Sequence, residues 1–394
     1  DFTWVNGRCV AEPVQFNDAS SSTNPIYKWW WDFADVPSGA NNNAIIANPT
    51  HVFTSPGTYD VRYVNITTPG CVSDTIHHFV QAAPLPSAII DGANTVCVNG
   101  AQQPVTFTGS GAIAPNEYTF YYHINAGGPL SVNSTGGIAT VLHNPVAPGP
   151  YTYTLDSVRI IGSALCVNQI TGQQITITVN PLPTASISGS TTVCQNAPAP
   201  NITFTGAAAT APYTFSYTIN GGPVQTVTTV AGNSVTVPVS TATAGTFTYT
   251  LVSVQDGSST ACTQVQAGSA IVVVNPLPTA SISGTLAVCR NAASPNVTFT
   301  GATGTAPYTF SYTINGGPVQ TVTTVAGNSV TVSVPTATVG TYTYALVSVQ
   351  DGSSTACSQA QTGSAIITVN DLPTASIAGT IAVCQNGPQP LVTF

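Results

Sequence analysis

Apolar and polar residues alternate with a period of two along much of this chain. From 213 to 219 the order is Tyr213, Thr214, Phe215, Ser216, Tyr217, Thr218 and Ile219, with every odd position apolar and every even one Thr or Ser. Successive side chains leave opposite faces of a strand, so this pattern predicts a strand with one buried face. Asn220, Gly221, Gly222 and Pro223 follow, and then Val224, Gln225, Thr226 and Val227. Asn-Gly tolerates the positive φ that hairpin turns need, so the segment reads as a hairpin. Residues 315–318 repeat the turn, and 125–129 vary it by one inserted residue. Further strands are predicted at 202–205, 235–239, 246–254 and 270–274, and no window carries a helical period. About seven short strands per repeat, with turn signals between them, predict an antiparallel β-sandwich, and the fold class is all-β.

The pattern recurs in step with the cysteines. Cys97, Cys194, Cys289 and Cys384 open successive repeats at intervals of 97, 95 and 95 residues, each followed closely by Asn. Cys166, Cys262 and Cys357 answer at 69, 68 and 68 residues, and Cys9 and Cys71 form an earlier pair 62 apart. Two cysteines per period predict tandem domains, each stapled by its own disulfide: Cys9–Cys71, Cys97–Cys166, Cys194–Cys262 and Cys289–Cys357. Closing a loop of that length is worth about 4 kcal/mol in the chain-entropy model. The expected partner of Cys384 falls beyond Phe394, so Cys384 is read as unpaired by truncation and the chain as a piece that stops inside a domain.

The predicted organisation is a distinct domain at 1–82, repeats at 84–180, 181–275 and 276–370, and the truncated start of another at 371–394. The junctions share a form, with Pro84-Leu85-Pro86, Pro181-Leu182-Pro183 and Pro276-Leu277-Pro278, and Asp371-Leu372-Pro373 at the last. Proline fixes φ and restricts the residue before it, so such junctions are short and stiff, unlike a Gly/Ser tether. They predict an elongated rod. The repeats at 181–275 and 276–370 match at about four positions in five, and 211–237 is identical to 306–332.

Only 5% of residues are charged, against about 25% in ordinary globular domains. The net charge is −8 with five Lys and Arg in all, which argues against nucleic acid and against an anionic membrane surface. No run of 18 apolar residues exists, so no membrane insertion is expected. The chain starts at Asp1 with no signal peptide and is read as processed or truncated. Paired cysteines, few charges and no Met suit an oxidising, extracellular location.

Three ordered blocks stand in the first domain: Trp31-Asp32-Phe33-Ala34-Asp35, then Asn48-Pro49-Thr50-His51-Val52-Phe53, then Gly57-Thr58-Tyr59-Asp60-Val61. This resembles the PKD domain, an immunoglobulin-like sandwich found in many extracellular proteins, whose pattern is W-D-F-G-D-G, N-P-x-H-x-Y and G-x-Y-x-V. Ala34 and Val36 replace the family's two glycines, so the turn after Phe33 is expected to differ. The later repeats lack W-D-F but keep Gly-x-aromatic-x-Tyr-x-Leu at 149–155, 245–251 and 340–346. They look like the PKD-like and immunoglobulin-like repeats of very large surface proteins in gliding bacteria, secreted by the type IX route and including mobile gliding adhesins. The resemblance implies an extracellular fold and a surface role, without naming a ligand.

Candidate chemistry is thin. Trp29 and Trp31 share one strand face and Trp30 takes the other. The resemblance makes Trp31 a core residue and leaves Trp30 as a possible glycan or partner contact. Asp32, Asp35 and Asp60 lack the D-x-D-x-D-G spacing of a calcium loop, and Asp32 is read as a turn acceptor. His77 and His78 are adjacent in a strand and face apart, so they cannot chelate together, and no H-E-x-x-H, G-x-S-x-G or CxxC occurs. No metal, cofactor or enzymatic activity is expected. The Asn220-Gly221 and Asn315-Gly316 turns are candidates for a repeated weak contact strengthened by multivalency. Thr75 and Ser157, each after Asp and before an apolar residue, match an O-glycosylation sequon used by relatives of the gliding bacteria.

The reading favoured is a non-catalytic structural stalk of a large extracellular adhesin or fibre, its partners another surface protein, a glycan or identical chains. A self-assembling filament subunit is one alternative, permitted by a weakly charged surface. A spacer in a secreted glycan-degrading enzyme is the other.

Overall fold

A computed structural model describes the chain apart from residues 6, 8, 69, 112–116 and 394. The described residues are nearly all β, with one 3-10 segment at Val36–Asn42. They form eight sheets, which pair into four sandwiches along the sequence. By packing, the chain divides into two compact units. The first comprises 1–183, 208–211 and 255–264, and the second 184–207, 212–254 and 265–394.

The sandwich between 184 and 275 is representative. One sheet holds Thr184–Ser188, Asn201–Ala207 and Ser234–Pro238 in that order. The other runs Thr191–Cys194, Ser269–Asn275, Gly245–Gln255, Thr214–Ile219 and Gln225–Thr228, with Thr263–Val265 beside the long strand. Two facing sheets joined in this order are immunoglobulin-like. The alternation has the consequence expected of it: Ile202, Phe204, Phe215, Tyr217, Leu251, Val272 and Val274 are all buried, while the intervening Thr and Ser face outward. The rings of Phe204 and Phe215 stack at 5.6 Å, and Phe204 meets Tyr217 at 4.9 Å. In the next sandwich Phe299 meets Phe310 and Tyr312 at the same two distances.

The pairing departs from the expected all-antiparallel scheme at one strand per repeat. Thr191–Cys194 lies parallel to Ser269–Asn275, and Asn94–Cys97 and Leu286–Cys289 do the same in their sandwiches. A four-residue run cannot announce its direction. This strand is the continuation of the first strand across a bend at Gly189, whose φ of 113° only glycine adopts readily.

Gly206 is demanded by its neighbour. A Cβ there would stand 2.5 Å from Cγ of the fully buried Tyr213. Gly206→Ala is expected to lower the stability of this sandwich by about 1–3 kcal/mol, the usual cost of overpacking. Urea unfolding followed by tyrosine circular dichroism checks it, and an unchanged midpoint would refute the packing argument.

In the first sandwich Trp31 is fully buried. Its ring meets Phe2 at 5.0 Å, Phe16 at 5.7 Å and Tyr63 at 4.4 Å, and its Nε1 donates to Ile46 O at 2.9 Å. Ala34 occupies the left-handed region at φ 55°, so the turn keeps a conformation suited to glycine although Ala stands there. Asp32 Oδ1 accepts from Ala34 N at 2.9 Å and Asn42 Nδ2 at 3.0 Å, the turn-acceptor role read from the sequence. Residues 371–393 carry no named strand and are exposed, with one isolated bridge between Ala378 and Thr393.

Candidate functional site

The cysteines lie at the ends of the sandwiches, and which end decides their chemistry. Cys194 pairs in register with Asn275, the last residue before the Pro-Leu-Pro junction, so it marks the downstream end of its sandwich. Gly245 also starts there, since it pairs with Val274. The eleven residues of Gly245–Gln255 then travel to the upstream end, about 35 Å away at the rise of a strand. Cys262 follows in a loop closed on Asp256: Cys262 N donates to Asp256 Oδ1 at 2.8 Å, and Asp256 N donates to Cys262 O at 3.0 Å. A disulfide needs Cα atoms within about 7 Å. The two cysteines of one repeat therefore cannot bond.

The structure instead bonds Cys9 to Cys166, Cys97 to Cys262 and Cys194 to Cys357, with Cα separations of 5.7, 5.7 and 5.6 Å. Each bond joins the downstream end of one repeat to the upstream end of the next. The expected in-repeat pairs are thus corrected throughout, and Cys71 and Cys289, expected to be bonded, are exposed free thiols, as is Cys384. Cys71 stands at the upstream end of the first sandwich, just past Gly57–Thr67, and Cys289 at the downstream end of the last, in register with Asn370.

A second contact accompanies two of the bonds. Asn180 Nδ2 donates to Thr260 Oγ1 at 2.9 Å within the first compact unit, and Asn275 Nδ2 to Thr355 Oγ1 at 3.0 Å within the second. These asparagines close the last strand of one repeat, and the threonines stand two residues before the bonded cysteine of the next. Ser258 Oγ and Ser353 Oγ each donate to the local Asp at 2.7 Å and fix the loop. Sequence reasoning passed over Asp256, Thr260, Asp351 and Thr355. Their signal was the identical run Asp-Gly-Ser-Ser-Thr-Ala-Cys at 256–262 and 351–357. The Asn two residues after each first-series cysteine has a structural cause: Asn99, Asn196, Asn291 and Asn386 all have φ between 60° and 71°.

The remaining candidates scatter. Trp30 is 41% exposed on the opposite face from Trp31. Asn220 and Gly221 are exposed at the hairpin tip with positive φ, as are Asn315 and Gly316. Both asparagines also work internally, since Asn220 Oδ1 accepts from Thr248 N and Asn315 Oδ1 from Thr343 N, each at 2.7 Å. Thr75 is exposed. Ser157 is only 8% exposed in the middle of the strand Gly149–Ile160, between two hydrogen-bonded neighbours, and this burial removes it as a glycan acceptor in the folded chain. His77 and His78 point apart, one to Asp60 and the other to Asp1.

One buried polar pair lies in the first sandwich. His51 Nε2 meets Asp35 Oδ2 at 3.0 Å, and Thr54 donates to the same carboxylate from both N and Oγ1. Burial pushes His51 below its ordinary 6.5, and the bond to Asp35 only partly offsets this. Between the two values the unfolded chain binds a proton that the folded chain refuses, so stability is full above pH 6.5 and falls as pH drops below it. Urea midpoints read by tryptophan fluorescence are expected to decline from pH 7.5 to 5.5. His51→Gln should flatten that decline, and an equally steep slope in the variant would assign it elsewhere.

No family model matches the chain, and no curated protein matches it. Among solved structures it is similar to part of a 1.5-MDa bacterial ice-binding adhesin, with TM-score 0.34, 19% identity and coverage of 73% of this chain and 98% of that one. It is similar to an I-band fragment of titin, with TM-score 0.45, 11% identity and coverage of 75% and 100%. It is also similar to invasin, a bacterial integrin-binding protein, with TM-score 0.35, 13% identity and coverage of 96% and 82%.

Proposed function

We propose that this chain is a non-catalytic stalk segment of a large extracellular surface protein of the adhesin kind. The observation that carries the reading is the set of disulfides joining successive repeats. Bonds of that kind persist in oxidising surroundings outside the cell. They fix one repeat on the next, where a flexible string of binding modules would leave the junctions free. On this reading the domains are 1–82, 84–180, 181–275, 276–370 and the start of a further one at 371–394. The motif blocks of the first domain support a PKD-type origin. The repeat pattern supports export by the type IX route and a place in a gliding-associated adhesin. Exposed Trp30 and the Asn-Gly hairpin tips are the proposed contact surfaces for a glycan or protein partner, and Thr75 the proposed glycan acceptor.

Antibody against residues 184–370, applied to intact cells that make the protein, tests the location. Labelling of unpermeabilised cells, abolished by external protease, is the expected result. Labelling that requires permeabilisation would overturn the proposal.

A further inference from the structure

The three bonds overlap along the sequence. Cys97 lies inside the loop closed by Cys9–Cys166, and Cys194 inside the loop closed by Cys97–Cys262. A pulling force follows the shortest covalent route, and the overlap makes that route very short. From Cys9 it crosses to Cys166, runs 28 residues to Cys194, and crosses to Cys357. Most of those 28 residues already lie in strands, at Val167–Gln169, Gln174–Asn180, Thr184–Ser188 and Thr191–Cys194. A strand rises about 3.3 Å per residue, and a fully stretched chain spans only about 3.3–3.6 Å per residue, so the strand residues of the route have almost no length to release.

We propose that these staggered disulfides shield the sandwiches from tension, so that the chain transmits force from Cys9 to Cys357 without lengthening. Force favours unfolding only through the extension that unfolding releases. The strands that build most of each core, such as Asn201–Ala207, Thr214–Ile219 and Gly245–Gln255, are off the covalent route. Unfolding them releases no length between Cys9 and Cys357 and gains nothing from the pull. Disulfides within each repeat would act differently, leaving a slack stretch in every repeat. The inference deepens the stalk reading and rests on it only for the premise that the chain carries tension.

The middle bond supplies the decisive variant. Without Cys97–Cys262 the shortest route is unchanged. Without Cys9–Cys166 it becomes 88 residues from Cys9 to Cys97, across the middle bond, 68 residues back from Cys262 to Cys194, and across the last bond to Cys357. Fully stretched, the oxidised chain spans about 100 Å between Cys9 and Cys357, the variant lacking the first bond about 550 Å, and the reduced chain about 1,200 Å.

The test is single-molecule stretching of the full chain held by its two ends. The oxidised protein and Cys97→Ser/Cys262→Ser should show no repeat-sized steps, only the short release of tails outside the bonds. Cys9→Ser/Cys166→Ser should gain roughly 450 Å. Dithiothreitol supplies two electrons and two protons per bond, leaves six thiols in place of three disulfides, and should restore repeat-sized steps. Such steps in the oxidised wild type, or equal gains in the two double variants, would overturn the proposal. Surface labelling of intact cells is a separate result, so either idea can fail alone.

Discussion

Trp31→Ala is expected to destabilise the first sandwich by about 3–5 kcal/mol, the cost of emptying a large aromatic site in a core. Trp31 is fully buried and its ring touches Phe2, Phe16 and Tyr63 from different strands. The gap cannot close by moving one neighbour, because Phe2 and Phe16 belong to one sheet and Tyr63 to the other. The substitution also strips the donor from Ile46 O, which Nε1 serves at 2.9 Å. All four tryptophans of the chain are Trp4, Trp29, Trp30 and Trp31. Tryptophan fluorescence therefore reports this sandwich alone, and three reporters survive in the variant. Trp30→Ala is the matched control, since Trp30 is 41% exposed, and a surface change usually stays within about 0.5 kcal/mol. Equal urea midpoints for the two variants would remove Trp31 from the core.

The strands were legible because the buried face writes itself into the sequence. The run from Tyr213 to Ile219 becomes the strand Thr214–Ile219, and the run read at 246–254 becomes Gly245–Gln255. The Asn-Gly turns were legible for a similar local reason: positive φ at Asn220 and Gly221 selects those residue types. The junctions were legible only in part. Spacing gave two cysteines per repeat but said nothing about which end of a sandwich each occupies. That information sits in the length of the intervening strand, since an eleven-residue strand parts its ends by far more than a disulfide spans. The direction of Thr191–Cys194 was also hidden, because four residues carry no periodicity that separates parallel from antiparallel pairing. Ser157 misled for a different reason. A three-residue motif ignores burial, and Ser157 lies inside the longest strand of its repeat.

Loss of the Cys9–Cys166 bond is expected to lower the tryptophan-detected stability of the first sandwich, although Cys166 stands far along the chain in the next repeat. The two cysteines are 157 residues apart in sequence. In the chain-entropy model a loop of that length is worth about 5 kcal/mol, and measured losses commonly fall between about 2 and 5. Cys166→Ser and Cys71→Ser separate this pairing from the one that spacing suggests. If Cys9 were bonded to Cys71, Cys71→Ser would destabilise the first sandwich and Cys166→Ser would leave its tryptophans indifferent. The structure requires the reverse. Cys71 is an exposed free thiol, so Cys71→Ser should shift the midpoint by no more than about 0.5 kcal/mol. Cys166→Ser should shift it by several times that amount. Cys194→Ser/Cys357→Ser completes the comparison, because both residues belong to the second compact unit. That double variant should lower the tyrosine-detected transition and leave the tryptophan transition in place, as expected of sites that share no partners. A tryptophan midpoint that follows Cys71 rather than Cys166 would break the ladder at its first rung, and with it the shielding argument, whose covalent route starts at that bond.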